Sequence, residues 1–150
     1  MAQAKEMSTA EWELMRVVWT LHEASSSDII MAIHGKKDWT ESTIKTLLRR
    51  LVQKEVLTTR KEGRKFIYQP LIGEDDAMDQ MTTEVFSRLC RMKKGRTLAK
   101  LVANTTLSQS DIKALQKVLA EKLQTAPETV ACDCIAPMSC EQCENDSVMA

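Results

Sequence analysis

Apolar and polar positions recur along this chain at two different periods, and the change of period divides it. Over residues 8–21, Trp12, Met15, Val18 and Trp19 return at the three- and four-residue spacing that aligns side chains on one helix face. Ser8 followed by Glu11 predicts a capping box at the start of that helix, the hydroxyl accepting from the Glu11 amide while the carboxylate reaches back. The polar break "HEASSS" ends it. Ser26 or Ser27 is expected to cap a second, short helix carrying Ile29, Ile30 and Ile33, with Gly35 just past its end. A third helix is predicted in "WTESTIKTLLRRLVQKEVL", with Thr40 as N-cap and Ile44, Leu47, Leu48 and Leu51 as its buried stripe. The pattern then becomes β-like. "VLTTRKEGRKFIYQPLI" reads as two strands around Glu62-Gly63-Arg64, and Pro70 prevents simple continuation of the ladder.

Beyond Pro70 the helical period returns. Met78, Met81, Val85 and Leu89 mark a helix beginning near Asp75, with Phe86 and Cys90 widening its apolar face. A basic patch, "CRMKKGR", precedes a short helix with Leu98, Leu101 and Val102. Ser108 and Asp111 form another capping-box pair, opening a helix striped by Ile112, Leu115, Val118, Leu119 and Leu123. These stripes have little to bury against within one chain, so a dimerisation region is expected there. From Thr125 onward periodicity disappears, and Pro127 and Pro137 interrupt it further. The expected organisation is a DNA-binding domain over 1–72, a helical dimerisation region over 73–124 and a cysteine-rich tail over 125–150. The fold class is mainly α, because three helices followed by a two-stranded hairpin is the order of a winged helix-turn-helix domain.

Charge sharpens this picture where whole-chain composition does not. The net charge is zero, yet residues 36–70 hold ten Lys/Arg against four Asp/Glu, while residues 125–150 hold five Asp/Glu and no Lys/Arg. A basic segment predicts a polyanionic partner, and an acidic tail suits a cation. On the third helix, Ser42, Thr43, Lys45, Thr46, Arg49 and Arg50 fall off the apolar stripe. They offer short hydroxyls and cations to a major groove whose base edges carry a donor–acceptor code. Arg60, Lys61, Arg64 and Lys65 flank the hairpin turn, where cations contact phosphates and release counterions. Double-stranded DNA is therefore the expected partner. Trp12, Trp19 and Trp39 are read as core or helix-packing residues, His22 and His34 as surface residues, and Cys90 as a small hydrophobe on an apolar face.

The tail carries the remaining chemistry. "ACDCIAPMSCEQCEND" places Cys132, Cys134, Cys140 and Cys143 within twelve residues. Four thiolates enclose zinc tetrahedrally at about 2.3 Å, and soft sulfur also selects Cu(I). No apolar run approaches the roughly 20 residues needed to cross a bilayer, and "MAQAKEMSTAEWE" lacks the apolar core of a signal peptide. A cytoplasmic protein with no membrane partner is expected, and in that compartment clustered cysteines favour metal over disulfides. A thioredoxin-like reading would need a βαβ unit beside Cys-x-x-Cys, and none is visible. No Ser/His/Asp constellation, phosphate loop or paired-carboxylate site is present, so no enzyme is expected. A metal sensor, for zinc, cadmium or copper, and a metal-buffering or copper-transfer protein are the readings that these cysteines leave open.

With these segments placed, the chain resembles the CopY-type copper-responsive repressors over essentially its whole length. "STAEWELMRVVW" and "WTESTIKTLLRRLVQK" also resemble the wider BlaI/MecI repressors, and "LVANTTLSQSDI" is similar to their dimerisation helices. The resemblance implies a homodimer that binds a two-fold operator of a copper-homeostasis operon in its Zn(II) form. Cu(I), delivered by a copper chaperone, would displace zinc and release the DNA. It implies Cys132, Cys134, Cys140 and Cys143 as ligands and Ser42, Thr43, Lys45, Thr46 and Arg49 as recognition-helix positions. Two departures stand out. The tail closes in Cys140-Glu141-Gln142-Cys143 where the copper branch ends in Cys-x-Cys. The Asn-Phe bond cleaved in the β-lactam branch is absent, since Asn104 precedes Thr105, which argues against proteolytic induction.

Overall fold

The computed structural model describes residues 7–134. Helices α1 (Thr9–Leu21), α2 (Ser26–Ile33) and α3 (Glu41–Gln53) are followed by a hairpin of β2 (Leu57–Glu62) and β3 (Lys65–Pro70). A two-residue strand β1 (Ala24–Ser25) lies between the first two helices. Helices α4 (Glu74–Ser87), α5 (Lys94–Asn104) and α6 (Gln109–Leu123) complete the chain, with a 3₁₀ turn at Arg91–Lys93 leading into α5. The architecture is that of a mainly helical winged helix-turn-helix protein. No helix among the described residues is long and apolar enough to cross a membrane.

Local chemistry explains most boundaries. The Ser8 hydroxyl accepts from the Glu11 amide at 3.2 Å and Glu11 Oε2 accepts from the Ser8 amide at 3.0 Å, completing the expected capping box. Thr40 caps α3 by accepting from the Thr43 amide, and Ser108 with Asp111 caps α6. The second helix departs from expectation. Its cap is Ser25, not Ser26 or Ser27, because Asp28 stands three residues on and its carboxylate accepts from the Ser25 amide. Gly35 and Gly63 take φ of +79° and +63°, the left-handed region that a helix stop and a two-residue hairpin turn require.

The polar break after α1 hides a strand. Ala24 and Ser25 pair antiparallel with Tyr68 and Ile67, so the sheet order is β1-β3-β2. Within the wing, Thr59 pairs with Tyr68 and Leu57 with Pro70, where the ladder stops. Leu14, Met15, Val18, Ile29, Leu48, Leu51 and Val56 are fully buried and join the three helices beneath this sheet. Burying a side chain of that size stabilises the fold by about 1.5–3 kcal/mol. Trp19 is also buried, stacks edge-on against Trp12 at 5.3 Å, and donates its indole N–H to the Ile72 carbonyl at 2.9 Å. Glu11 has a second role beyond its cap. It is 2% exposed and pairs with Lys54 Nζ at 2.7 Å, so the start of α1 is tied to the C-terminal end of α3.

The core continues through Ile72 to Ala77 at the start of α4. One compact unit therefore ends at Val85 and a second begins at Phe86. In the second unit α5 and α6 bury no residue, and every residue of α6 is exposed. Leu98, Leu101, Val102, Ile112, Leu115, Val118, Leu119 and Leu123 all stand open. Leu89 and Cys90 lie beyond α4, which stops at Ser87, so Cys90 does not belong to its apolar face. Cys90 instead adopts an extended backbone and takes the N-cap position of the 3₁₀ turn before α5.

Candidate functional site

Two groups of side chains carry chemistry, one in each unit. In the first, the apolar stripe Ile44, Leu47, Leu48 and Leu51 fixes the rotation of α3 by burying one face. Ser42, Thr43, Lys45, Arg49 and Arg50 are consequently exposed, and Thr46 is half-exposed. Not all are equally available. The Thr46 hydroxyl donates to the Ser42 carbonyl at 2.9 Å, which leaves its lone pairs as acceptors, and the Thr43 hydroxyl sits 3.0 Å from that of Thr40. Lys45 approaches Glu41 only at 3.9 Å, in an exposed pair of little energetic weight.

The hairpin cations separate into two kinds. Lys61, Arg64 and Lys65 are exposed at the tip, and no described carboxylate lies within ion-pair distance of them. Arg60 is different. Its guanidinium donates to both Glu23 oxygens at 2.8 and 3.0 Å and reaches Glu62 at 3.4 Å. The Gln69 amide donates to the same Glu23 carboxylate at 2.7 Å. The hydrogen bonds from Arg60, helped by that from Gln69, hold the Glu23 carboxyl below its usual range, although desolvation opposes them. Arg60 thus fastens β2 to the segment before β1, a role that a count of cations along the sequence does not reveal. Sequence distance concealed it: Glu23 lies 37 residues away.

The second group is made of thiols. Cys90 Sγ lies 3.7 Å from Cys132 Sγ and 3.8 Å from Cys134 Sγ, and the latter two are 2.8 Å apart. Cys140 and Cys143 lie outside the described residues. The three sulfurs fall within 4.8 Å of one another, with Cys90 and Cys132 half-buried and Cys134 exposed. A tetrahedron of Zn–S bonds of about 2.3 Å has S···S edges of about 3.8 Å, which two of the three separations match. The donor set thus fits a thiophilic ion; Cys132 and Cys134 would have to open to seat one. The segment is also held through its Asp133 side chain, whose Oδ1 accepts from the Arg91 amide at 2.8 Å.

The thiols perturb one another. Hydrogen bonding with Cys132 and then Cys90, together with desolvation, pushes the Cys134 thiol up to about 12. Cys90 moves the other way. Desolvation opposes its ionisation, but the Met92 amide, the two neighbouring thiols and the Lys93 amide together hold it below the usual thiol range. The sequence placed Cys90 with the apolar residues, whereas the fold brings it to the tail. Its residue type was the only signal available, since 42 residues separate it from Cys132.

Comparison with known proteins places this architecture. Residues 7–121 match the penicillinase repressor family. The uncharacterized 16.5 kDa protein in the ptsI 3′ region of Latilactobacillus sakei is 52% identical over 141 residues, covering 94% of this chain and 95% of its own. The methicillin resistance regulatory protein MecI of Staphylococcus aureus is 32% identical over 117 residues, covering 78% of this chain and 95% of its own. Among solved structures, the monomeric form of Bacillus licheniformis BlaI in complex with the blaP half-operator is 37% identical, with 51% of this chain and 93% of that one covered and a TM-score of 0.45. With the match running from Met7 into α6, the chain belongs to the penicillinase repressor (BlaI/MecI) family of DNA-binding transcriptional repressors, which are not enzymes.

Proposed function

We propose that this protein is a copper-responsive repressor of the cytoplasm. As a Zn(II)-loaded homodimer it holds a two-fold operator of a copper-homeostasis operon, and Cu(I) releases the DNA by displacing zinc at the C-terminal cysteines. The observation that carries this reading is the gathering of cysteine thiols in a chain of repressor lineage. The tail's sequence holds Cys140 and Cys143 besides the two described cysteines.

The chain's own residues supply each part. α3 offers Ser42, Thr43, Lys45, Thr46 and Arg49 to base edges and phosphates in the major groove, while Lys61, Arg64 and Lys65 reach flanking phosphates. A second copy of the chain covers the open stripe of α6, and two winged helices then meet two half-sites. The thiols give up protons and hold the cation. Zinc favours four-sulfur tetrahedra whereas Cu(I) accepts lower coordination, so the tail is drawn into different arrangements by the two metals. Switching requires that these arrangements differ in their coupling to DNA; tight binding alone shifts nothing.

Fluorescence anisotropy of a labelled operator tests the proposal. The zinc-loaded protein is titrated with Cu(I), Ag(I), Cd(II) and excess Zn(II), beside a Cys132→Ser/Cys134→Ser chain. Release by Cu(I) and Ag(I), lost in the variant, is expected. Unchanged operator affinity with Cu(I) would sink the copper reading, and selective release by Cd(II) or Zn(II) would replace it with a sensor of those metals.

A further inference from the structure

Cys90 stands outside the tail, in the polypeptide that opens α5, yet its sulfur is the one that brings the three thiols into a common site. Two separations from it, 3.7 and 3.8 Å, equal the sulfur–sulfur edge of about 3.8 Å expected around tetrahedral zinc. A purely apolar role fits poorly, since Cys90 is only half-buried and faces two thiols. The approach is not accidental to one side chain. Asp133, between Cys132 and Cys134, accepts from the amide of Arg91, the residue after Cys90. The segment Cys132-Asp133-Cys134 therefore grips the Cys90-Arg91 peptide at sulfur and at backbone.

We propose that Cys90 is itself a metal ligand, so that the bound ion fastens the cysteine tail to the N-terminal end of α5. The inference rests on the metal-binding part of the functional proposal and adds a fifth sulfur to the four of the tail. Each coordinating thiol loses its proton to solvent and its sulfur donates a lone pair to the cation, with no change of oxidation state. Cys90, Cys132 and Cys134 supply three of the donors. Cys90 is followed by the turn Arg91–Lys93 and then directly by α5, whose open face carries Leu98, Leu101 and Val102. A change of metal at Cys90 is thereby a change at the root of a helix with an apolar face to bury.

The test uses the full chain loaded with ¹¹³Cd(II) as a spectroscopic substitute for zinc. A ¹H–¹¹³Cd correlation spectrum reports ligation directly, through coupling of the metal to cysteine β-protons. Cross-peaks from Cys90, Cys132 and Cys134 are expected. Cadmium coupled to tail cysteines but not to Cys90 overturns this inference and leaves metal sensing intact; no coupling to any cysteine overturns both. A second readout follows the consequence. In the parent chain zinc should slow amide exchange of residues 91–96 at least about tenfold, as a ligand-anchored helix start requires. In Cys90→Ser, where the tail still supplies four thiols, that protection should vanish; equal protection in both chains overturns the proposed coupling.

Discussion

Arg60 and Arg64 are four residues apart on one hairpin, but only one of them has its charge free for DNA. Arg60 is clamped on both oxygens of Glu23 and touches Glu62, whereas no described carboxylate lies within ion-pair distance of Arg64. Arg64→Gln should remove a phosphate contact from each wing of a dimer bound to a two-fold operator. Each phosphate contributes about −0.9 to the slope of log K against log salt, so losing two changes the slope by about 1.8. Between about 50 and 200 mM salt, a fourfold range, the affinity gap between parent and Arg64→Gln should therefore narrow about 12-fold. Arg60→Gln should change the slope by less than half as much, because the cation it removes is already neutralised by Glu23. The assay is anisotropy of operator DNA titrated at four or five salt concentrations, with all proteins in the same metal state. An equal slope change for both variants would refute the assignment of Arg60 as a fastener of the wing and restore it as a phosphate contact.

Three other outcomes are expected. Glu11→Ala removes the back half of a capping box and one ion-pair partner of the partly exposed Lys54; it should destabilise the first unit by about 2–4 kcal/mol, read as a lowered urea midpoint of tryptophan fluorescence, and a loss under about 0.5 kcal/mol would contradict the buried pairing. Asp28 and Asp111 are held below the usual carboxyl range by Ser25 and Ser108, so their stabilisation is fully present above the ordinary pKa near about 4 and is lost as pH falls through the lower folded value. Helicity followed by circular dichroism should accordingly fall more steeply below about pH 4 in the parent than in Asp111→Asn. Leu119→Lys places a charge in the open stripe of α6 and should weaken self-association at least about tenfold in sedimentation equilibrium, with operator affinity falling in parallel.

The elements that could be read from sequence were those in which two local signals coincide. α1, α3 and α6 each combine a hydroxyl cap with an apolar stripe, and each begins where the cap predicts. α2 was placed but its cap was shifted, since three consecutive serines offer the same hydroxyl and only the Ser25–Asp28 spacing distinguishes them. β1 left no trace, because two residues cannot show alternation and its pairing partner is more than forty residues away. The exposed face of α3 was legible because a buried stripe fixes what the other face must be. The pairing of Arg60 with Glu23 and the meeting of Cys90 with Cys132 were not, because both depend on contacts closed by the folded chain rather than on any local period. The same limit applies to charge: a sequence counts cations, while folding decides which remain unspent.

Ser25 occupies a junction. It pairs with Ile67 in the wing sheet and also caps α2, the helix that precedes α3, while Glu23, two residues earlier, is bonded to Arg60 and Gln69 on both wing strands. The wing sheet and the start of α2 are therefore laced together through one short segment. A reading head built this way has few internal settings for an inducer to alter. In the proposed dimer, what stays adjustable is the phase between two heads: their separation along the duplex and their rotation about it, where half-sites recur about every 34–36 Å. Inserting half a helical turn between operator half-sites should thus mimic induction, abolishing tight binding while leaving each head fully competent for its own half-site.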